Sequence, residues 1–281
     1  MYKTIKSLRM LEALLVSGFI FIGGLFGIYK VGTYDPMVLA VVAFISYSLM
    51  LSIYSFNAYL GFNEDKVNPR LKQLTLFPRN FYLFTTIAFY TLSLLATLFL
   101  KTNNVFLHII IFVLWFFYSV PGFGKHLPVI GTLIHFIVQI VQFNFAYSFF
   151  SPITFDSLLI SCFFALLFCA GHLHHEIIDY EVDANNAIKS STVLWGVKKV
   201  KYFSFGLFVL AYILLFFLFS DKFINVMVYA IFGITAFFQL ILFLYYNKQF
   251  ENNSQARLTY RLFYRILFLI SGIVFTCFVL F

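Results

Sequence analysis

The sequence predicts an all-α, polytopic membrane protein. Three observations carry that expectation. Of 281 residues, 62% are apolar and only 11% are charged, and the apolar residues gather into long runs. A soluble domain is nearer half apolar and a quarter charged. About 20 apolar residues of helix cross a bilayer core, and backbone groups in lipid must be satisfied within the chain, which selects helices for runs of this length.

Nine spans are expected, at 10–29, 37–60, 81–100, 104–120, 127–149, 155–178, 202–220, 223–247 and 260–281. The first follows a basic start, Met1 to Arg9, that resembles a signal peptide. Its apolar run, Met10 to Tyr29, is long enough to span and more spans follow, so it reads as a retained first helix. The fourth span is the shortest. Lys and Arg set the orientation. With the N-terminus in the cytoplasm, sixteen of the nineteen fall on the inner side and only Lys30, Lys101 and Lys222 on the outer. That bias supports the orientation and an odd number of spans.

The inner connections, 61–80, 179–201 and 248–259, are longer and more polar than the outer ones, which places function on the cytoplasmic face of the cell membrane. No linker or soluble segment interrupts the chain, which reads as one transmembrane domain, 1–281. The formal charge of +8 reflects the inner Lys and Arg rather than a nucleic-acid partner. Cys162, Cys169 and Cys277 all lie in apolar runs, with neither disulfide nor metal spacing.

Two acidic runs stand out against this background. They are Asn57-Ala-Tyr-Leu-Gly-Phe-Asn-Glu-Asp65, after the second span, and His175-Glu-Ile-Ile-Asp-Tyr-Glu-Val-Asp183, after the sixth. They hold Glu64, Asp65, Glu176, Asp179, Glu181 and Asp183, six of the eleven carboxylates in the chain. Charge concentrated at the mouths of membrane helices is a functional-site signal. Four residues turn a helix by about 400°, so Asn57, Gly61 and Asp65 share a face, as do His175, Asp179 and Asp183. Glu176 borders the second face. Facing carboxylate clusters would repel one another without a cation between them. Mg2+ suits this set, because it takes oxygen ligands and is usually held by one or two carboxylates plus substrate phosphates. Arg70 and Lys72 follow the first run, Lys189 follows the second, and Lys125 lies in Tyr118-Ser-Val-Pro-Gly-Phe-Gly-Lys125. Acids, a divalent ion and nearby cations suit a diphosphate. The aromatic interior, with 42 Phe and 18 Tyr, suits an apolar tail.

These residues resemble the UbiA-type intramembrane prenyltransferases, which have nine helices and Asp-rich motifs after the second and sixth. The first motif matches at Asn57 and Asp65 and continues into Lys66-Val-Asn-Pro-Arg70. The second matches at Asp179 and Asp183, followed by Ala187-Ile-Lys-Ser-Ser-Thr-Val-Leu-Trp-Gly196. The Tyr118 to Lys125 loop is also similar. The resemblance implies an enzyme that moves a prenyl group from a prenyl diphosphate to a hydrophobic acceptor dissolved in membrane lipid. In that reading Asp65, Asp179 and Asp183 are catalytic, and Asn57 and Glu176 join them around Mg2+. Arg70, Lys72, Lys125 and Lys189 bind diphosphate, and His175, Tyr118 and Glu64 are further candidates.

Two positions depart from the family pattern. Gly61 stands where the first motif has Asp, and His175 opens the second motif in place of an acid or amide. Gly61 removes a metal-holding carboxylate, so a two-magnesium site does not follow from the sequence. Two alternatives stay open. One is a transporter, which would place ionisable groups near the bilayer midplane with paired Gly/Pro interruptions. The other is a specialised or degenerate member that binds, cyclises or otherwise uses the isoprenoid. Lys198, Lys199, Lys201 and the set from Arg257 to Arg265 read as orientation signals. His108 and His135 read as packing residues. The cluster of His172, His174 and His175 lacks a zinc-like motif.

Overall fold

The computed structural model describes residues 7–67, 76–185, 188–221, 224–251 and 253–281, leaving the side chains of Glu64, Val67 and Lys125 outside the description. Among the described residues there are nine helices of spanning length and apolarity and no strand. They are α1 (Met10–Val31), α2 (Pro36–Leu60), α3 (Arg79–Leu100), α4 (Val105–Ser119), α5 (Ile130–Tyr147), α6 (Phe155–Asn185), α7 (Ser191–Ser220), α8 (Val226–Tyr246) and α9 (Ser254–Leu280). The chain is a multi-pass membrane protein. A tenth, short helix, Phe62–Val67, continues from α2.

Most ends agree with the hydropathy reading to within a few residues, and three do not. The helix α6 runs through the second acidic run to Asn185, where the apolar run stops at 178. Its 31 residues extend about 46 Å, against a hydrocarbon core of about 30 Å, so its charged last turns outreach the apolar layer. The helix α7 starts at Ser191 rather than 202, because helical backbone also covers 191–195 and the basic residues after Gly196, with a kink at that glycine (φ 82°, ψ 153°). The helix α9 likewise begins at Ser254 rather than 260, capped by Asn253, whose side chain accepts from the Ala256 N–H.

By internal contacts the chain forms two compact units. One comprises residues 1–125 and 141–153, the other residues 126–140 and 154–281. In the first unit α2 is central and packs on α1, α3 and α4. Asp35 caps α2 by accepting from the Met37 N–H at 2.8 Å, and Pro36 occupies its first turn. Close approach on α1 depends on small residues. A Cβ at Gly23 would run into the Phe143 carbonyl, and one at Gly27 would lie 2.8 Å from the Tyr147 oxygen. This is the four-residue small-residue spacing that lets membrane helices touch backbone to backbone.

In the second unit α6 is central and packs on α7 and α9, while α8 packs on α9. Tyr264 donates to the Leu167 carbonyl at 2.7 Å and Ser204 to the Ala170 carbonyl at 2.9 Å, fixing α9 and α7 to α6. Phe163, Phe164, Phe232 and Phe275 fill the core beside them, with neighbouring centroids 4.9–5.9 Å apart.

Candidate active site

In the first unit, α2 ends at Gly61 without breaking the helical path. The Gly61 N–H bonds to the Asn57 carbonyl and the Asp65 N–H to the Gly61 carbonyl, each at 2.8 Å. Asn57, Gly61 and Asp65 are thus linked turn to turn, as the four-residue spacing anticipates. Gly61 has φ −83° and ψ 10°, a conformation open to any residue, so the backbone does not require glycine there. The Asn57 Oδ1 is buried and has no hydrogen-bond partner among the described residues.

Asp65 is buried, with its Oδ2 3.0 Å from Arg9 Nη2. Arg9 is the N-cap of α1, in the left-handed region at φ 52°. The chain beside it is held by Ser7, which hydrogen-bonds the Tyr82 hydroxyl at 2.6 Å, and Tyr82 in turn packs on Phe62. Two further cations lie on the aromatic rings near the end of α2. Arg79 covers Tyr59 and donates to its carbonyl at 3.1 Å, and Lys66 sits 4.6 Å from the Phe62 centroid. Arg9 and Arg79 were not singled out from the sequence. In the sequence the basic N-terminal run is the only signal for Arg9, and it marks orientation.

In the second unit the last turns of α6 carry the second run. His175 Nδ1 lies 3.0 Å from Asp179 Oδ2, one turn on, with the His side chain 42% and the Asp side chain 20% exposed. Asp183 is half-buried on the same face, and its carbonyl accepts from the Ile188 N–H. Glu176 is engaged elsewhere. One of its oxygens is 3.2 Å from His172 Nε2, and the other accepts from the Thr192 N–H in the first turn of α7. A carboxylate at a helix start meets unpaired N–H groups there and the positive end of the helix dipole. Glu176 therefore ties α7 to α6. His135 on α5 is buried and packs in the second unit, its ring stacked on His172 at 4.1 Å. Thr132 Oγ1 and Gln139 Nε2, on the same part of α5, are buried without partners among the described residues. His108 does read as packing, fully buried and hydrogen-bonded to Ser93 at 3.0 Å.

Two cations expected to mark only orientation are buried. Lys201 donates to the Asn247 carbonyl at 3.0 Å, and Arg257 to the Phe250 carbonyl at 2.6 Å and the Glu251 carbonyl at 2.8 Å. Arg257 also reaches the Ile177 carbonyl at 3.5 Å and Glu181 at 3.4 Å, so it secures the turn of α6 that precedes Asp179. Lys189 is exposed. Tyr118 lies at the end of α4, edge-on to Trp115 at 5.2 Å. Arg70 and Lys72 lie outside the described residues, as do the side chains of Glu64 and Lys125.

Among the described residues no three His, Cys, Asp or Glu side chains converge as a metal cage. Asp179 and Asp183 in the last turns of α6 are a pair of the kind Mg2+ takes, since that ion needs only one or two protein carboxylates when phosphate supplies the other oxygens.

The fold matches that of a UbiA homologue from Archaeoglobus fulgidus bound to DMAPP and Mg2+, with a TM-score of 0.77 and 17% identity over 97% of this chain and 98% of that one. The homologue bound to GPP and Mg2+ gives a TM-score of 0.77, with 17% identity over 97% and 99% of the two chains. An apo UbiA homologue from Aeropyrum pernix K1 gives 0.68, with 13% identity over 93% and 98%. At these identities the likeness is one of fold. No curated protein matches the sequence. The model of the UbiA prenyltransferase family matches residues 16–271, from within α1 to within α9. With its nine helices and that match along nearly its whole length, the chain belongs to the UbiA prenyltransferase family.

Proposed function

We propose that the protein transfers a prenyl group from a prenyl diphosphate to a hydrophobic acceptor in the membrane, with Mg2+ as cofactor. The observation that carries the reading is the second acidic run, with Asp179 and Asp183 on one helical face in the last turns of α6, in a chain of this family. The Archaeoglobus fulgidus homologue binds DMAPP or GPP with Mg2+, which supports the same donor and ion here. Asp179 and Asp183 are the ligands that the second run offers the ion, and Asn57 and Asp65 are the candidates of the first run by the family resemblance. Mg2+ supplies positive charge against the departing diphosphate.

The residues of the chain do the rest. Basic side chains, with Lys189, Lys125, Arg70 and Lys72 as the candidates, receive the phosphate oxygens. His175 orients Asp179. Glu176, tied to His172 and α7, keeps the last turns of α6 in place. The bond between the allylic carbon and the diphosphate oxygen breaks, and its electron pair leaves with the diphosphate. Fixed positive charge around that oxygen stabilises the charge as it develops. Aromatic faces attract the allylic cation and exclude water until the acceptor forms the new bond and gives up a proton. The Lys and Arg bias supports a site opening on the cytoplasmic side of the cell membrane.

The test is release of free diphosphate by purified protein from a panel of prenyl diphosphates, with and without Mg2+. Release should require the ion, stop on chelation and resume when Mg2+ returns. Asp179→Asn should cut turnover by about 100- to 1,000-fold, the usual cost of one electrostatic stabiliser, with helical content unchanged. Undiminished turnover in Asp179→Asn, or release that ignores chelation, would overturn the proposal.

A further inference from the structure

Gln142 stands apart among the buried polar side chains of the first unit. It lies on the part of α5 that belongs to that unit and is 1% exposed. Its Nε2 donates to the Met50 sulfur on α2 at 3.2 Å, and its Oε1 is buried with no hydrogen-bond partner among the described residues. A thioether only accepts, so that contact decides which end of the amide is which and leaves the oxygen as the unsatisfied end. A carbonyl oxygen left unpaired away from water is costly, and lipid offers no water to make good the loss. Ser48 and Ser55 on α2 also carry buried hydroxyls without partners among the described residues, but a hydroxyl can turn onto a carbonyl of its own helix. The Gln142 amide, held at its other end by Met50, has no such recourse.

The position is fixed from two directions. The helix α1 packs on the neighbouring residue, where a Cβ at Gly23 would run into the Phe143 carbonyl, so this stretch of α5 is held at backbone distance from α1. Met50 precedes Asn57 by seven residues, which puts both on one face of α2, about 10 Å apart along its axis. Gln142 therefore meets α2 on the face of Asn57, two turns deeper into the helix. All of these residues belong to the first unit.

We propose that Gln142 is a specificity-determining residue that accepts a hydrogen bond from an O–H group of the prenyl acceptor. This rests on the prenyl-transfer reading above. The unpaired oxygen calls for a donor, which disfavours an ether, ketone or quinone oxygen at that position and selects a hydroxylated acceptor. Burial makes the selection sharp, because an analogue without the hydroxyl leaves the oxygen unpaired.

The test uses the full chain in nanodiscs with geranyl diphosphate, Mg2+ and two matched pairs of acceptors. One pair is hydroquinone and its monomethyl ether, the other a monoalkylglycerol and its monomethyl ether. Each ether keeps one hydroxyl to react and lacks the second. The wild type should show a KM about 5- to 100-fold lower for the diol of at least one pair, the worth of pairing a buried acceptor. Gln142→Leu should erase that difference by raising KM for the diol, with kcat little changed and KM for the ether no higher. Gln142→Glu, which keeps an oxygen at the same reach, should recover part of it. Equal KM values within both pairs in the wild type overturn the inference, and that arm needs no variant to fold. So does a Gln142→Leu protein that keeps the difference, since water or another group would then satisfy the amide. Wild-type protein that transfers to neither pair, yet binds inorganic pyrophosphate in a Mg2+-dependent way, overturns the inference and leaves the donor reading intact. Absence of that binding sinks the donor reading itself, and the inference with it.

Discussion

Replacing Arg257 by Met tests how the second acidic run is held in place. The guanidinium makes two short bonds, to the Phe250 carbonyl at 2.6 Å and the Glu251 carbonyl at 2.8 Å, and two long ones, to Ile177 at 3.5 Å and Glu181 at 3.4 Å. The residue is 5% exposed. Each short bond has a charged donor and is worth about 1.5–3 kcal/mol. The contact to Glu181 differs, because that carboxylate is 65% exposed and solvent screens it. It contributes at most about 0.5 kcal/mol, as exposed ion pairs do.

Met fills most of the same volume, so cavity formation adds little. Arg257→Met should therefore cost about 3–6 kcal/mol, and Glu181→Gln no more than about 0.5 kcal/mol. Arg257→Lys should fall between them, since one ammonium replaces a planar fork. The assay is reversible unfolding in mixed micelles, following helical circular dichroism. An unchanged midpoint in Arg257→Met would refute the reasoning. So would a loss in Glu181→Gln as large as in Arg257→Met, because the energy would then reside in the ion pair.

Two further substitutions separate backbone strain from crowding. Gly196 sits at φ 82° and ψ 153° inside α7, a region that essentially only glycine occupies, and a Cβ there would meet nothing within 4 Å. Gly196→Ala should still cost about 1–3 kcal/mol in the same unfolding assay, purely from the backbone, and a neutral result would contradict that. At Gly27 the φ is ordinary but a Cβ would lie 2.8 Å from the Tyr147 oxygen and 3.0 Å from Phe150 Cβ. Gly27→Ala should destabilise by about 1–3 kcal/mol through overpacking of α1, and an unchanged midpoint would show that the contact can relax.

The sequence by itself determined nine segments long and apolar enough to cross a membrane, and located them to within a few residues at most ends of the described helices. Span length and apolarity are local properties that lipid enforces on each segment separately. It also determined the spacing of both acidic runs, because a helix repeats every 3.6 residues whatever surrounds it. Helix ends beyond the apolar layer were less legible, as at α6 past 178, since hydropathy marks where lipid stops rather than where backbone hydrogen bonding stops.

Only the tertiary structure decided how the charges are used. Arg9 and Asp65 are 56 residues apart, and Arg257 and Ile177 are 80 apart. In sequence Lys201 and Arg257 were indistinguishable from the other inner-side cations, yet both are almost wholly buried against carbonyls. Glu176 looked like a neighbour of Asp179 in the same run, but its carboxylate is engaged by His172 and the start of α7. A side chain's role depends on which donors and acceptors packing brings within about 3 Å, and no pattern along one chain encodes that distance.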